Sequence, residues 1–172
     1  MYDSFYAKIS APFRTSESRR IIVPLADKLL TTLFYLTYPL LLLALLLKGA
    51  PVGSPLPFNP DLVACTVAPG TGFALVSLLR KTINAPRPYE VFDIKPLIIK
   101  DTVGQSFPSK HVYSSFAIAM CWLSFSFALG AILVALAFCI ACIRVVGGVH
   151  FPKDVAAGAL IGLAFGTLAL VF

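Results

Sequence analysis

Apolar residues run through this chain in long blocks broken by short polar clusters, a spacing too coarse for strands and long enough for membrane-crossing helices. Five stretches approach the roughly 20 apolar residues that a bilayer core requires: residues 21–47, 61–79, 111–129, 131–146 and 155–172. Pro69, Gly70 and Gly72 should bend the second, and Gly130 is expected to make a tight turn between the third and fourth. In the last stretch Gly158, Gly162 and Gly166 recur every four residues, leaving a smooth stripe on which another helix can lie closely. Residues 48–60 hold four prolines and two glycines and read as a rigid loop. Ahead of the spans, Tyr2, Phe5, Tyr6 and Ile9 share one helical face opposite Asp3, Lys8 and Ser10, up to Pro12. That pattern predicts an interfacial amphipathic helix within residues 1–20. The expected fold is all-α: a polytopic membrane helix bundle of about five transmembrane helices plus this N-terminal helix, with residues 1–172 forming one integral-membrane domain.

Composition agrees with this reading. The 172 residues are 58% apolar and 13% charged, with a mean hydropathy of +0.87, which excludes a water-soluble globule and a disordered chain alike. Cys65, Cys121, Cys139 and Cys142 all fall inside apolar runs, so they read as small core residues rather than as a disulfide framework or zinc site. Cys139 and Cys142 form a C-x-x-C, but without polar company. The first twenty residues are mixed and end in Arg19-Arg20, so the chain is expected to be inserted without cleavage of a secretory signal.

Charge is distributed unevenly. Counting crossings brings three junctions to one membrane face: residues 80–110, residues 144–153 and the N-terminal segment. Of the 14 Lys and Arg, the first two junctions hold Arg80, Lys81, Arg87, Lys95, Lys100, Lys110, Arg144 and Lys153; the third holds Lys8, Arg14, Arg19, Arg20 and Lys28. Lys48 alone belongs to the opposite face. By the positive-inside rule that face would be cytoplasmic. The partners this pattern calls for are the bilayer and an anionic substrate at its surface, not nucleic acid.

Both histidines fall at ends of spans on the cationic face. His111 follows Phe107-Pro108-Ser109-Lys110, where Ser109 and the free N–H groups of a helix N-terminus make an anion site. His150 precedes Asp154 by four residues, so a helix starting near 151 lets the carboxylate reach the imidazole and fix its tautomer. Arg80, Arg87 and Arg144 arrive from three segments, with Arg87 held between Pro86 and Pro88. Three converging guanidiniums repel one another unless a polyanion joins them, and their planar donor sets match phosphate oxygens.

These residues resemble the motifs of the type 2 phosphatidic acid phosphatase family, the membrane lipid phosphatases related to vanadium haloperoxidases. The family's Lys-x6-Arg-Pro is matched by Arg80 and Arg87-Pro88, with Lys81 one residue out of register. Its Pro-Ser-Gly-His is matched by Pro108-Ser109-Lys110-His111, and its Ser-Arg-x5-His-x3-Asp by Ile143-Arg144, His150 and Asp154. Lys110 in place of glycine and Ile143 in place of serine are departures. The resemblance implies a metal-independent phosphatase for lipid phosphate or diphosphate monoesters, of the phosphatidic acid, phosphatidylglycerol phosphate or undecaprenyl diphosphate type, with no cofactor. It implies His150 as nucleophile forming a phosphohistidine, Asp154 as the holder of its tautomer and His111 as general acid. Arg80, Arg87, Ser109, Lys110 and Arg144 would bind the phosphoryl oxygens, with Lys81 as the alternative to Arg80. It also implies a site on the extracytoplasmic face, against the charge count. Between the first two motifs, Val91, Phe92, Ile94, Leu97, Ile98 and Ile99 interleave with Asp93, Lys95 and Lys100, either to dip into the interface beside a lipid chain or to pack on the helices. A lipid phosphotransferase would use the same residues, and an anion channel or carrier would instead place basic residues along the spans.

Overall fold

The structure, a computed structural model, describes residues 2–53 and 59–171. Residues 54–58 of the proline-rich loop and the end of the last span at residue 172 lie outside the described residues. The helices are α1 (Tyr2–Arg14), α2 (Glu17–Lys48), α3 (Pro60–Ile83), the single turn α4 (Pro88–Val91), α5 (Lys110–Phe125), α6 (Phe127–Val146) and α7 (Pro152–Val171). Among the described residues, four segments are long and apolar enough to cross a membrane: α2, α3 together with α4, α6 and α7.

Each boundary has a local cause. Ser16 caps α2 by accepting from Arg19 N at 3.3 Å, and Gly49 ends it at a φ of 68°. Asn59 caps α3 by accepting from Asp61 N at 3.0 Å, and Asn84 closes it in the left-handed region, where asparagine is tolerated. This carries α3 beyond residue 79, so Arg80 and Lys81 belong to its last turn.

The helix boundary in the middle of the chain falls at Ser126, not Gly130. Ser126 is extended, with φ −153° and ψ 113°, and both ends α5 and begins α6. Gly130 lies inside α6 and serves close packing: a Cβ there would stand 2.6 Å from the backbone N of Leu123. The 16 residues of α5 span about 24 Å, less than a bilayer core of about 30 Å. This short helix is the buried centre of the bundle. Val112, Tyr113, Phe116, Ala117, Ala119 and Cys121 are all enclosed. The glycine stripe of α7 lies against it, with a Cβ at Gly158 falling 2.5 Å from Ser109 O and one at Gly162 falling 2.6 Å from Tyr113 O. Phe34, Phe116, Leu133, Ile140 and Val155 fill the space between α2, α5, α6 and α7. Leu29, Leu36, Leu40 and Leu43 point outward from α2, as expected of a lipid-facing surface. All four cysteines are free, with Cys65 and Cys121 buried and Cys139 and Cys142 exposed on α6.

At the polar end the three junctions meet. Pro12 lies within α1, not at its end. The protein-facing side of α1 is Tyr6 and Ser10, so Ser10 is not on a solvent face, while Phe5 is exposed. Tyr6 packs on Gly148, Tyr2 stacks at 5.0 Å on Phe92 and meets Phe151 at 4.9 Å, and Arg14 donates to Lys95 O. The apolar stretch after α4 divides: Ile98 is buried with Val23 and Val149, whereas Val91 and Ile99 stay exposed.

Candidate active site

His150 sits in the tight connection from α6 to α7 and is 1% exposed. Asp154, in the first turn of α7, accepts from Phe151 N at 2.9 Å and from Ser106 Oγ at 2.6 Å through one carboxylate oxygen, Oδ2. That oxygen is 3.6 Å from His150 Nδ1, and Ser106 Oγ is nearer at 3.3 Å. Because the serine's hydrogen goes to the carboxylate, its oxygen presents a lone pair to Nδ1. This favours the Nδ1–H tautomer and leaves Nε2 with a free lone pair. Burial pushes the His150 pKa down to about 4; the neighbouring Asp154 carboxylate opposes the shift, and Arg87 and Arg144 add to it. At neutral pH the imidazole is therefore uncharged.

Backbone carbonyls hold Arg80 and Arg87, and a carboxylate holds Arg144. Arg80, from the end of α3, donates to Pro108 O at 2.7 Å. Arg87, extended ahead of α4 and 3% exposed, donates to Gly104 O and Val149 O at 3.1 Å each. Glu90 accepts from Arg87 N at 3.2 Å and from Gly104 N at 2.7 Å, clasping the two strands of loop that hold the arginine. Arg144, near the end of α6, is 1% exposed and stands 2.8 Å by its Nε from Asp27 of α2. Ser109 is fully buried; its N–H donates to Asp154 O at 2.9 Å, and its hydroxyl has no partner among the described residues. His111 is within electrostatic reach of Arg144, His150 and Arg80.

The family model for the PAP2 superfamily matches residues 61–172, which include every one of these motif positions. The chain belongs to the PAP2 superfamily. Its structure is similar to the crystal structure of Aquifex aeolicus LpxE, with a TM-score of 0.72 and 27% identity over 98% of this chain and 94% of that one. It shares the fold of the first transmembrane PAP2 type phosphatidylglycerolphosphate phosphatase from Bacillus subtilis, with a TM-score of 0.61 and 20% identity over 96% and 90% of the two chains. A bacitracin transport permease protein, BcrC of Bacillus licheniformis, is 34% identical over 95 residues. These make up 53% of this chain and 47% of that protein, so the match spans about half the length of the curated relative. With its apolar spans, the chain is an all-helical PAP2 membrane protein.

Within this PAP2 site two expected cations are turned elsewhere. Lys81 is exposed beside the inward-facing Arg80, and the Lys110 ammonium rests 3.8 Å over the ring of Phe73, a cation–π contact that holds it against α3. Four residues that the motifs do not contain join the site: Ser106, Asp27, Thr31 and Lys100. Burial lowers the Lys100 pKa to about 8, helped by Arg144 and Arg87 and opposed by Asp27. Asp27 had a signal in the sequence, being an acid inside an apolar span. Ser106 had none.

A cleft of about 300 Å³ lies between α2, α3 and α5, lined by Tyr35, Tyr38, Pro69, Phe73, Ser114 and Ile118. A much smaller chamber shares Tyr35, Ser114 and Ile118 with it and is walled by His111. The two are separated by these shared walls, and His111 lines the chamber but not the cleft.

Proposed function

We propose that this chain is a membrane lipid phosphatase that hydrolyses a phosphate or diphosphate monoester through a phosphohistidine on His150. The observation that carries this reading is the buried His150–Ser106–Asp154 trio beside three buried or half-buried guanidiniums. His150 Nε2 attacks phosphorus, the bond from phosphorus to the lipid oxygen breaks, and His111, whose pKa burial and the nearby cations hold low until the bound phosphate's negative charge offsets them, gives that oxygen a proton as it leaves. His111 then takes a proton from water, whose oxygen attacks phosphorus, and inorganic phosphate departs with Nε2 restored. Arg80, Arg87 and Arg144 stabilise the charge on the oxygens in flight. The apolar cleft shares Tyr35, Ser114 and Ile118 with the chamber at His111, which supports a hydrocarbon chain lying on that side of the leaving oxygen. On this reading the polar end faces away from the cytoplasm, which a membrane-impermeant substrate analogue tests on sealed vesicles of known orientation.

The direct test is inorganic phosphate release by detergent-purified protein, in excess chelator, from a panel of lipid mono- and diphosphates. Wild type should release phosphate and His150→Ala should not. Release that continues in His150→Ala, or that needs added divalent metal, contradicts the scheme.

A further inference from the structure

α2 brings a carboxylate to the anion site from outside the region that the PAP2 model matches. Asp27 lies in a candidate membrane span, where a charged group is costly unless it is paired. Its Oδ1 is 2.8 Å from Arg144 Nε, and the two side chains are 13% and 2% exposed. One turn further along α2, Thr31 Oγ1 accepts from Arg144 Nη2 at 3.5 Å. Two of the three guanidinium nitrogens are thus directed to α2. Nε and Asp27 Oδ1 meet as an ion pair without hydrogen-bond geometry, whereas the third nitrogen, Nη1, has neither an ion pair nor a hydrogen bond among the described residues, and the Ser109 hydroxyl in the same site has no hydrogen bond either. Buried donors are nearly always paired, so these unpaired groups point to a ligand's oxygens.

Lys100, on the loop, lies within electrostatic reach of the same carboxylate. The N–H groups of Leu97 and Ile98 both donate to Gly147 O at 3.1 Å, fastening the loop to the turn between Arg144 and His150. Ile98 packs with Val23, one turn before Asp27, and with Val149, next to His150. This holds Lys100 within electrostatic reach of Asp27, Arg144, Arg87 and Arg80. The site therefore keeps four mutually repelling cations together, and Asp27 is the carboxylate paired with Arg144 and felt by Lys100.

We propose that Asp27 is a positioning residue for phosphate recognition: it braces Arg144 by the Nε edge so that Nη1 meets the phosphoryl oxygens, and it draws Lys100 in as a fourth cation. Asp27 itself touches no substrate. A carboxylate that only neutralised a buried arginine would act on folding, whereas a positioning carboxylate acts on turnover and on anion binding in folded protein. The inference rests on the phosphatase reading above, but anion binding can be followed without turnover.

The test compares wild type, Asp27→Asn and Asp27→Glu in detergent, measuring kcat and KM on a lipid monophosphate and Tm with and without inorganic phosphate. Asp27→Asn should lose roughly 100-fold in kcat/KM, the scale expected when a group near the chemistry is misplaced by about an ångström, with most of the loss in kcat. It should also lose the rise in Tm that phosphate gives wild type. Asp27→Glu keeps the charge and should recover most of both. The proposal is overturned if Asp27→Asn keeps wild-type kcat/KM, or if both variants lose activity only in proportion to lost folded protein. A wild type that frees phosphate from no lipid, yet is stabilised by phosphate only when Asp27 is present, overturns the phosphatase reading and leaves the positioning role standing. A wild type with neither response overturns both.

Discussion

The two histidines belong to differently built halves of the site. His150 is buried in a turn whose two sides are fastened down: Ser106, Phe151 N and Asp154 form one hydrogen-bonded group, and Val149 O is tied to Arg87. His111 lies in the first turn of the short central helix, its ring has no hydrogen-bond partner among the described residues, and it borders a small chamber that shares walls with an apolar cleft. A nucleophile gains from a fixed tautomer and direction, because attack on phosphorus tolerates little misplacement. A group that gives a proton to one oxygen and takes one from another needs a ring with no competing partner. In the proposed mechanism the held half takes the attacking role and the unpartnered half takes proton transfer.

That contrast is sharpest under substitution of each histidine. His150→Ala should remove turnover of every substrate, a loss of about 10³-fold or more. His111→Ala should lose about 10²–10⁴-fold on natural lipid esters and far less on an aryl phosphate, whose oxygen leaves without a proton. Equal losses for His111→Ala on both substrates would remove it from the acid role. Next in size is Ser106→Ala, which withdraws the oxygen between Nδ1 and the carboxylate. A loss of about tenfold in kcat with little change in KM is expected, the scale of one hydrogen bond to a charged group. An unchanged kcat would mean that Asp154 orients His150 alone. Smallest are the pH limbs. As pH falls through about 4, His150 takes up the proton that burial otherwise excludes, and kcat/KM should drop. As pH rises through about 8, Lys100 loses its charge and KM should rise, by about threefold for a partly exposed pairing. Lys100→Arg should carry full affinity to higher pH, and a KM that is flat across pH 7–9 in wild type would exclude Lys100 from the anion site.

The sequence and the structure agree most where a residue is costly in its surroundings. Arginines, histidines and an aspartate bordering apolar spans have few structural uses, so their spacing was legible, and the family model covers the same positions. The apolar blocks likewise marked α2, α3, α6 and α7. Position within the blocks was harder to read. Gly130 carried a turn signal, yet its missing Cβ serves close packing on Leu123, while the break comes at Ser126, an ordinary residue made extended by the helices meeting there. Lys110 sits in a phosphatase motif, but its long side chain lets the ammonium reach an aromatic ring on α3. Ser106 was illegible because a loop serine is common, and only the fold brings it within reach of a residue 48 positions away.

The phosphohistidine on His150 is tested most directly by rapid quench with a lipid phosphate carrying labelled phosphorus, followed by denaturation in base and mapping of the bound label. Label should remain on wild-type protein through base, be lost in acid as expected of a phosphoramidate, and map to residue 150. His150→Ala should carry none. Phosphate release with no protein-bound label at any quench time, or label on His150→Ala, would contradict the scheme.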